Sequence, residues 1–512
     1  MQKPTDKSAI MNITRTDNML FSSEESRQID SSTIENFGFD SFTLMETAAL
    51  GASQIIQKKH GNHQKGLYIC GKGNNAGDAL ATARHLSNRF EHKVDLYFPL
   101  GKDGLSDDTL KNYTLLSELK THGRAINRLQ DTDIPQFHAY DYIVDGLFGT
   151  GISRDIEGTL FDMIEALNES ETAVYSMDIP SGLSADTGKV MGICVKATST
   201  ITFGTRKKGL YLESASAYTG KVYFIPLQFP LHFLKSSTFL LNKELYESIP
   251  AKHRVARHKY DQGVVHVLAG SEGLTGAAIT ACKSAWKNGA GAVFLYAPKK
   301  ILPVYEATLP EIIKVPLGDD SDAYLKTAHA EKILSQINDK PGILLAGPGV
   351  GTLKETQTCL KTVFQNYRGK AIIDADAHSL WDELKILAEE EQNEWMFTPH
   401  IGEAKAYMDA HFSDDLSRLE WAAEISKEHN CSIIMKGNPA FLTIHSGLKF
   451  VTEYSTHMFS KAGFGDQLAG AVAAQTVIRN DGTEAAIFTL YNSYLGFTKR
   501  NKNSAFTPES LL

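Results

Sequence analysis

The feature that most limits the fold of this chain is a repeated alternation of short apolar runs with longer segments of helical period. Runs at 67–70, 94–98, 142–144, 174–177 and 199–203 read as strands, and the segments 78–88 and 160–168 between them read as helices. Strands joined through helices pair in parallel, so the pattern implies parallel sheets with helices packed on their faces. A last run at 221–225 closes this series, and Pro226, Pro230 and Ser236-Ser237 then interrupt it. The alternation restarts with strand-like runs at 264–269, 292–296, 343–346, 371–373, 433–435 and 441–444, and with helical segments at 277–288, 353–366, 417–429 and 467–478.

At 512 residues the chain exceeds what one core of ordinary size holds. The interruption gives a tail at 1–20, a first domain at 21–235 and a second at 236–512. The glycine motifs of the two halves differ in spacing and in neighbours, so these are two different α/β domains rather than a repeat. Acidic residues outnumber basic ones, giving a net charge of −8 with no long Lys/Arg run, which disfavours nucleic acid and membrane surfaces as partners. No apolar run approaches a bilayer span. Cys70, Cys194, Cys282, Cys359 and Cys431 are scattered and odd in number, the usage of a reducing compartment and not of a disulfide framework. Cytoplasm is the expected location.

Chemistry-bearing residues gather where strands end. In the first half, Cys70-Gly-Lys-Gly-Asn-Asn-Ala-Gly-Asp78 follows a strand and opens a helix, a place where backbone N–H groups meet phosphate. Two readings of Asn75 stand side by side: an oxygen ligand for a hard cation or carboxamide, and an Asn tolerating a left-handed turn. Asp145, in Tyr142-Ile-Val-Asp-Gly-Leu-Phe-Gly-Thr-Gly151, and Asp178, in Met177-Asp-Ile-Pro-Ser-Gly182, end two further strands. One such acid is commonly a cap. Three loops at the same topological position predict one crevice outside the carboxyl ends of a parallel sheet.

These motifs resemble the NAD(P)H-hydrate epimerase family, as do Leu44-Met-Glu-Thr-Ala48, Arg27 with Asp30, and Thr202-Phe-Gly-Thr-Arg-Lys-Lys-Gly-Leu210. The resemblance implies a Rossmann-like three-layer α/β/α sandwich. It implies that Asn74, Asn75, Ala76, Gly77 and Asp78 contact the hydrated dinucleotide together with Gly149, Thr150, Gly151, Ile152, Ser153, Arg154 and Asp155. It further implies potassium (K+) held by Asn75, Asp145 and Ser181, and Asp178 on the substrate as acid/base. The family more usually has glycine at the positions of Ala76 and Ala79, whose methyl groups are expected to narrow the loop.

In the second half, Lys461-Ala-Gly-Phe-Gly-Asp-Gln-Leu-Ala-Gly470 puts Asp466 in the first turn of an apolar helix, beside N–H groups suited to an anion. The plain alternative is a glycine turn with a capping Asp. Gly270-Ser-Glu-Gly-Leu-Thr-Gly-Ala-Ala278 and Ala346-Gly-Pro-Gly-Val-Gly351 are further glycine loops. Asp374-Ala-Asp-Ala-His378 and Thr398-Pro-His-Ile-Gly-Glu403 add acids and imidazoles. Asp374 and Asp376 are either paired carboxylates for magnesium or loop braces; His400 is either a ligand-site imidazole or a helix cap. Lys436 answers phosphate charge or is a solvated strand end.

Together these motifs resemble the ADP/ATP-dependent NAD(P)H-hydrate dehydratase family, a ribokinase-like α/β/α fold. The resemblance implies ADP, or ATP, at Lys436, Gly437, Asn438, Pro439 and Gly465. It implies the hydrate NADHX or NADPHX near Ala277, Gly349, His400 and Asp466, with Mg2+ beside the nucleotide. Asp466 is then the general base that helps the hydrate's hydroxyl attack the terminal phosphoryl group, after which phosphate leaves. The small-molecule partners are thus the hydrates and ADP, and a homo-oligomer is expected. The competing expectation is a ribokinase-like vitamin kinase whose N-terminal half is a non-catalytic binding module.

Overall fold

The computed structural model describes residues 16–130, 133–250, 258–410, 417–499 and 506–511. The chain forms two compact units, Arg15–Thr238 and Phe239–Leu512. Of the segment expected as a tail, residues 1–15 lie outside the described ones, and Met19–Phe21 is a short strand in parallel with Arg206–Lys207.

The N-terminal unit is built on β1 (Lys65–Cys70), β2 (Lys93–Tyr97), β3 (Ile126–Arg128), β4 (Tyr142–Gly146), β5 (Ala173–Met177), β6 (Ser199–Phe203) and β7 (Lys221–Ile225). All pair in parallel, in the order β3-β2-β1-β4-β5-β6-β7. The order reverses direction between β1 and β4, where Ile69 lies opposite Asp145. A reversal of this kind opens a crevice at the strands' carboxyl ends. Alternation along the strands fills both faces. Tyr68, Val144 and Met177 share one core with Ala52 and Ile56 of α2 (Ser41–His60), Leu80 of α3 (Asn74–Phe90) and Leu116 of α4 (Asp107–Thr121). Leu67, Ile69 and Ile143 pack on Ile164 and Leu167 of α5 (Thr159–Glu169) on the other face. A preceding helix, α1 (Ser23–Ser31), begins with a capping box in which Ser22 and Glu25 bond each other's backbone.

The C-terminal unit contains β8 (Thr238–Leu241), β9 (Val264–Leu268), β10 (Ala292–Pro298), β11 (Ile313–Leu317), β12 (Ile343–Ala346), β13 (Lys370–Ile373), β14 (Glu394–Phe397), β15 (Ser432–Met435), β16 (Phe441–Thr443) and β17 (Lys449–Thr452). Their order is β11-β10-β9-β12-β13-β14-β15-β16-β17-β8. Pairing is parallel from β11 to β15 and antiparallel from β15 through β17. Helices α6 (Thr275–Lys287), α7 (Ile401–Tyr407), α8 (Arg418–Glu428), α9 (Phe464–Arg479) and α10 (Gly482–Thr498) matter below. Helix α9 lies so close to α6 that a Cβ on Gly470 would stand 2.2 Å from the Ala281 carbonyl oxygen, and Ser284 Oγ donates to the Gln467 carbonyl at 2.6 Å.

All five cysteines are free and buried. Among the described residues no helix is long and apolar enough to cross a membrane.

Candidate functional sites

In the N-terminal unit, β1 delivers the chain to Gly71, where the Leu147 carbonyl oxygen lies 1.9 Å from the place a Cβ would take. Helix α3 then starts at Asn74, four residues before its expected start. Residues 74–78 therefore wind around a helical turn, about 100° per residue, instead of lying along a loop. Asn74, Asn75 and Asp78 face a cavity of about 1080 Å³. Ala76 lies in the core, and a Cβ on Gly77 would stand 2.6 Å from Met45 Cε. Ala79 is buried in the same core, so the methyl groups of Ala76 and Ala79 do not narrow the cavity. Gly149, Thr150, Gly151, Ile152, Ser153, Arg154, Asp155 and Asp178 also line the cavity.

An oxygen-rich cluster sits at the β1–β4 reversal. Asn75 Nδ2 donates to the Phe148 carbonyl at 2.8 Å, leaving Asn75 Oδ1 buried without a hydrogen-bond partner among the described residues. Ser181 Oγ donates to Asp145 Oδ1 at 2.6 Å and accepts from Phe148 N at 2.9 Å. Asp145 also accepts from Ser176 Oγ at 2.7 Å, Ser181 N at 2.9 Å and Leu147 N at 3.3 Å. Burial raises the Asp145 carboxyl above its ordinary range even against those donors. A set of oxygens from Asn, Ser and Asp, one of them an orphan, has the chemistry of a hard-cation site.

Asp178 follows β5 with φ +60°, a left-handed conformation uncommon for a non-glycine residue. Its Oδ1 accepts from Thr202 Oγ1 at 3.0 Å, Phe203 N at 3.2 Å and Lys207 Nζ. Lys207 is buried and also donates to the Phe203 carbonyl at 2.9 Å. Among the described residues, nothing hydrogen-bonds to Asp178 Oδ2, and Asp178 and Lys207 both line the cavity.

In the C-terminal unit the loops after β13, β14 and β15 carry Asp374, His400 and Lys436. The ends are drawn together by backbone, with Lys436 N donating to the Pro399 carbonyl at 2.8 Å. Lys436 is no solvated strand end. Its Nζ donates to Asp374 Oδ1 at 2.8 Å and lies 3.5 Å from Glu403 Oε2. Thr398 Oγ1 donates to the same Asp374 oxygen at 2.7 Å. Burial alone raises the Asp374 carboxyl, but the Lys436 charge and its bonds outweigh that, and the group sits below its ordinary range. Lys436 moves oppositely: burial lowers it, yet Asp374 and Glu403 carry it above normal.

His400 is the N-cap of α7. Its Nδ1 accepts from Gly402 N at 2.9 Å and Glu403 N at 3.2 Å, while Glu403 Oε2 accepts from His400 N at 2.8 Å. The capping reading thus holds, and the ring still borders a cavity of about 570 Å³. Asp376 acts as a brace, accepting from Gly351 N at 2.9 Å.

Asp466 stands in the first turn of α9, whose N-cap Gly463 has φ +91°. The same cavity is lined by Asp466, Lys436, Gly437, Asn438 and Gly465. A Cβ on Gly465 would be 3.3 Å from Lys436 Nζ, so the glycine leaves room around the ammonium. Burial, reinforced by the Asp374 charge, pushes the Asp466 carboxyl up to about 6; Lys436 opposes, and Glu403 and Asp376 add. Three expected residues fall outside this cavity's lining. Pro439 is one. The others, Ala277 and Gly349, adjoin each other: a Cβ on Gly349 would be 3.0 Å from Ala277 Cβ.

Several neighbours had no assigned role in the sequence. Thr456 N donates to Asn438 Oδ1 at 2.8 Å and its hydroxyl to the Gly437 carbonyl, so it shapes the 436–439 loop. His378 is fully buried beside Asp374, with no hydrogen bond to either ring nitrogen among the described residues, and burial drives it down to about 3. Lys207 and Asp30 lay in segments that carried the family resemblance, yet only the folded structure joins them to Asp178.

Residues 41–209 match the family model described as YjeF-related protein N-terminus, and residues 265–511 match that of NAD(P)H-hydrate dehydratase. A bifunctional NAD(P)H-hydrate repair enzyme from Dictyoglomus turgidum is 29% identical over 469 residues, 89% of this chain and 88% of the relative. One from Pyrobaculum aerophilum is 30% identical over 461 residues, 88% of each chain. Among solved structures, the ADP/ATP-dependent NAD(P)H-hydrate dehydratase of Bacillus subtilis, co-crystallised with ATP/Mg2+, is 20% identical and covers 53% of this chain and 94% of its own, with a TM-score of 0.43. Both units are matched, and relatives are spanned over most of their length, which leaves no room for a vitamin kinase with an unrelated N-terminal module; the chain belongs to the family of bifunctional NAD(P)H-hydrate repair enzymes.

Proposed function

We propose that the N-terminal cavity epimerises (R)- and (S)-NAD(P)HX and that the C-terminal cavity dehydrates (S)-NAD(P)HX to NAD(P)H, converting ADP to AMP and phosphate. The observation that carries the second step is Asp466: a carboxyl pushed up to about 6, in the first turn of a helix, beside a buried lysine and a glycine loop. A base of that strength takes the proton of the hydrate's hydroxyl as the oxygen attacks the terminal phosphoryl group. The C–O bond then breaks with phosphate as the leaving group, and the ring carbon beside it gives up a proton to restore the double bond. Helix α9's free N–H groups and the Lys436 ammonium stabilise charge on the transferring group. The 436–439 loop and Gly465 hold the nucleotide, and His400 borders the hydrate.

Mg2+ belongs with the nucleotide. Among the described residues no three His, Cys, Asp or Glu side chains form a ready metal cluster, and Mg2+ commonly rests on one or two carboxylates plus phosphates. In the N-terminal cavity, Asn75 Oδ1, Asp145 and Ser181 would hold K+, which supplies a fixed positive charge beside the substrate. Asp178 is the base there. Its Oδ1 is saturated by three donors, and Oδ2 remains to accept a proton.

One assay tests the whole reading. Mixed hydrate epimers with ADP or ATP, K+ and Mg2+ should return completely to reduced cofactor, followed by nicotinamide absorbance, with release of inorganic phosphate. Recovery that halts when one epimer is exhausted refutes the epimerase assignment; a phosphorylated alcohol accumulating without absorbance refutes the dehydratase.

A further inference from the structure

The epimerase cavity contains more carboxyl groups than one base requires. Asp30 of α1 and Asp78 of α3 line the cavity with Asp178 and Lys207. Among the described residues neither carboxyl takes a hydrogen bond, whereas Asp178 Oδ1 takes three. The charged groups acting on Asp78 include Asp178, Lys207, Asp30 and Asp108. Lys207 is committed to Asp178 and to the Phe203 carbonyl, and the other cations of the cavity lining, Arg27, Lys72 and Arg154, are exposed to water. Like charges crowded around one committed cation favour a proton on the carboxyl that has no partner.

We propose that Asp78 is the proton donor of the epimerisation, paired with Asp178 as the acceptor, and that Asp30 is the second carboxylate that keeps the proton on Asp78. The inference rests on the epimerase reading of this cavity. Burial, followed by the Asp178 charge, raises the Asp78 carboxyl well above its ordinary range, with Lys207 opposing and Asp30 and Asp108 adding. Asp30 is pushed up to about 6 by burial, with Lys207 opposing and Asp178 adding; as an exposed residue it feels that push softened by water. A carboxyl whose surroundings raise its proton affinity is suited to act as an acid.

The step balances without any oxidant. Hydration of the enamine in a dihydronicotinamide places hydrogen on C5 and hydroxyl on C6, next to the ring nitrogen. To invert C6, its C–O bond breaks and the electron pair leaves with oxygen. That oxygen takes the Asp78 proton and departs as water, while the nitrogen lone pair closes a C=N bond. Water then adds to the opposite face of C6, the nitrogen regains its pair, and Asp178 Oδ2 takes the surplus proton. One water leaves and one enters, and the proton returns from Asp178 to Asp78 through solvent.

Asp78→Asn in the full-length protein provides the test, with the chain's own dehydratase and ADP reporting each (S)-epimer formed from (R)-hydrate. The expected result is a kcat for epimerisation lower by about 10²–10³-fold, with KM changed less than about threefold, and unaltered dehydration of pure (S)-hydrate. In the wild type kcat should fall as rising pH removes the donor's proton, and Asp78→Asn should flatten that limb. Asp30→Asn should keep the limb and move it to lower pH, because one like charge has gone. Wild-type kcat and pH profile in Asp78→Asn would overturn the proposal. If that variant fails to fold, an unmoved limb in Asp30→Asn overturns it equally. A wild-type protein that never consumes (R)-hydrate instead refutes the epimerase reading itself.

Discussion

The two cavities use the same pair of residue types, an aspartate and a buried lysine at the carboxyl ends of a parallel sheet, in opposite ways. In the N-terminal unit Lys207 bonds the proposed catalytic carboxylate, Asp178, directly, and Thr202 and Phe203 complete its shell. In the C-terminal unit Lys436 bonds Asp374 and lies beside Glu403, while Asp466 shares their cavity and no hydrogen bond from a described residue reaches its carboxyl. The first arrangement fixes the geometry of a base and leaves the acid to a neighbour. In the second, burial and then an excess of negative charge raise one carboxyl to about 6, a strength suited to deprotonating a hydroxyl near neutral pH. A lysine's partner, rather than its presence, decides which carboxylate is tuned.

The largest effect expected from this contrast is kinetic. Asp466→Asn should lower dehydration of (S)-hydrate by about 10³-fold at saturating nucleotide while leaving epimerisation intact, measured by absorbance recovery and by epimer chromatography. In the wild type, kcat/KM for dehydration should rise with pH through about 6 as Asp466 ionises, then level off. Near-normal dehydration in Asp466→Asn would break the comparison at its centre.

The lysines should respond unequally to removal. Lys436→Met leaves Asp374 buried without its cation and should destabilise the C-terminal unit by about 3–5 kcal/mol in chemical denaturation. Lys207→Met leaves Asp178 with two donors and partial exposure, so its stability cost should be nearer about 1–2 kcal/mol, with epimerase kcat as the main casualty. Equal losses would show that both lysines are simply structural.

A smaller effect follows from linkage. Asp466 has its carboxyl raised from 3.8 to about 6 in the folded state, so between those values the folded chain binds more protons than the unfolded one. Stability from this group is therefore fully present below about 4 and is lost as pH rises through about 6. Asp466→Asn removes the penalty and should stabilise the C-terminal unit by ~1–2 kcal/mol at pH 7 but by much less at pH 4, read from denaturant midpoints.

Much of this was legible before folding, and for identifiable reasons. The run at 343–346 coincides with a strand because continuous burial leaves a continuous apolar signature. The Asp466 turn was visible because glycine, acid and apolar helix lie next to each other in sequence. The start of α3 was missed because Asn-Asn-Ala-Gly has the local chemistry of a turn; Ser106 Oγ bonding Asn74 Oδ1 at 2.9 Å and Thr109 Oγ1 bonding the Gly73 carbonyl at 3.1 Å tie it down from over thirty residues away. Lys436 had two readings until Asp374, 62 residues earlier, proved to be its partner. The Lys207–Asp178 pair was invisible for the same reason: ion pairs across a fold leave no mark in spacing.

The least dramatic prediction separates shape from chemistry in the N-terminal cavity. The family more usually has glycine at the position of Ala79, and the expectation from sequence was a methyl group crowding the substrate. In the fold that methyl group packs against β4: a Cβ added at Gly146 would lie 2.6 Å from Ala79 Cβ, and Ala79 is fully buried. Ala79→Gly thus removes a core methyl and loosens the interior of α3, with a cost of about 1–2 kcal/mol in denaturant unfolding. Because Ala79 does not line the cavity, KM for the (R)-hydrate should stay within about twofold of wild type. A KM that falls several-fold would mean that the methyl group does shape the substrate site, and that its influence reaches out from the interior of α3.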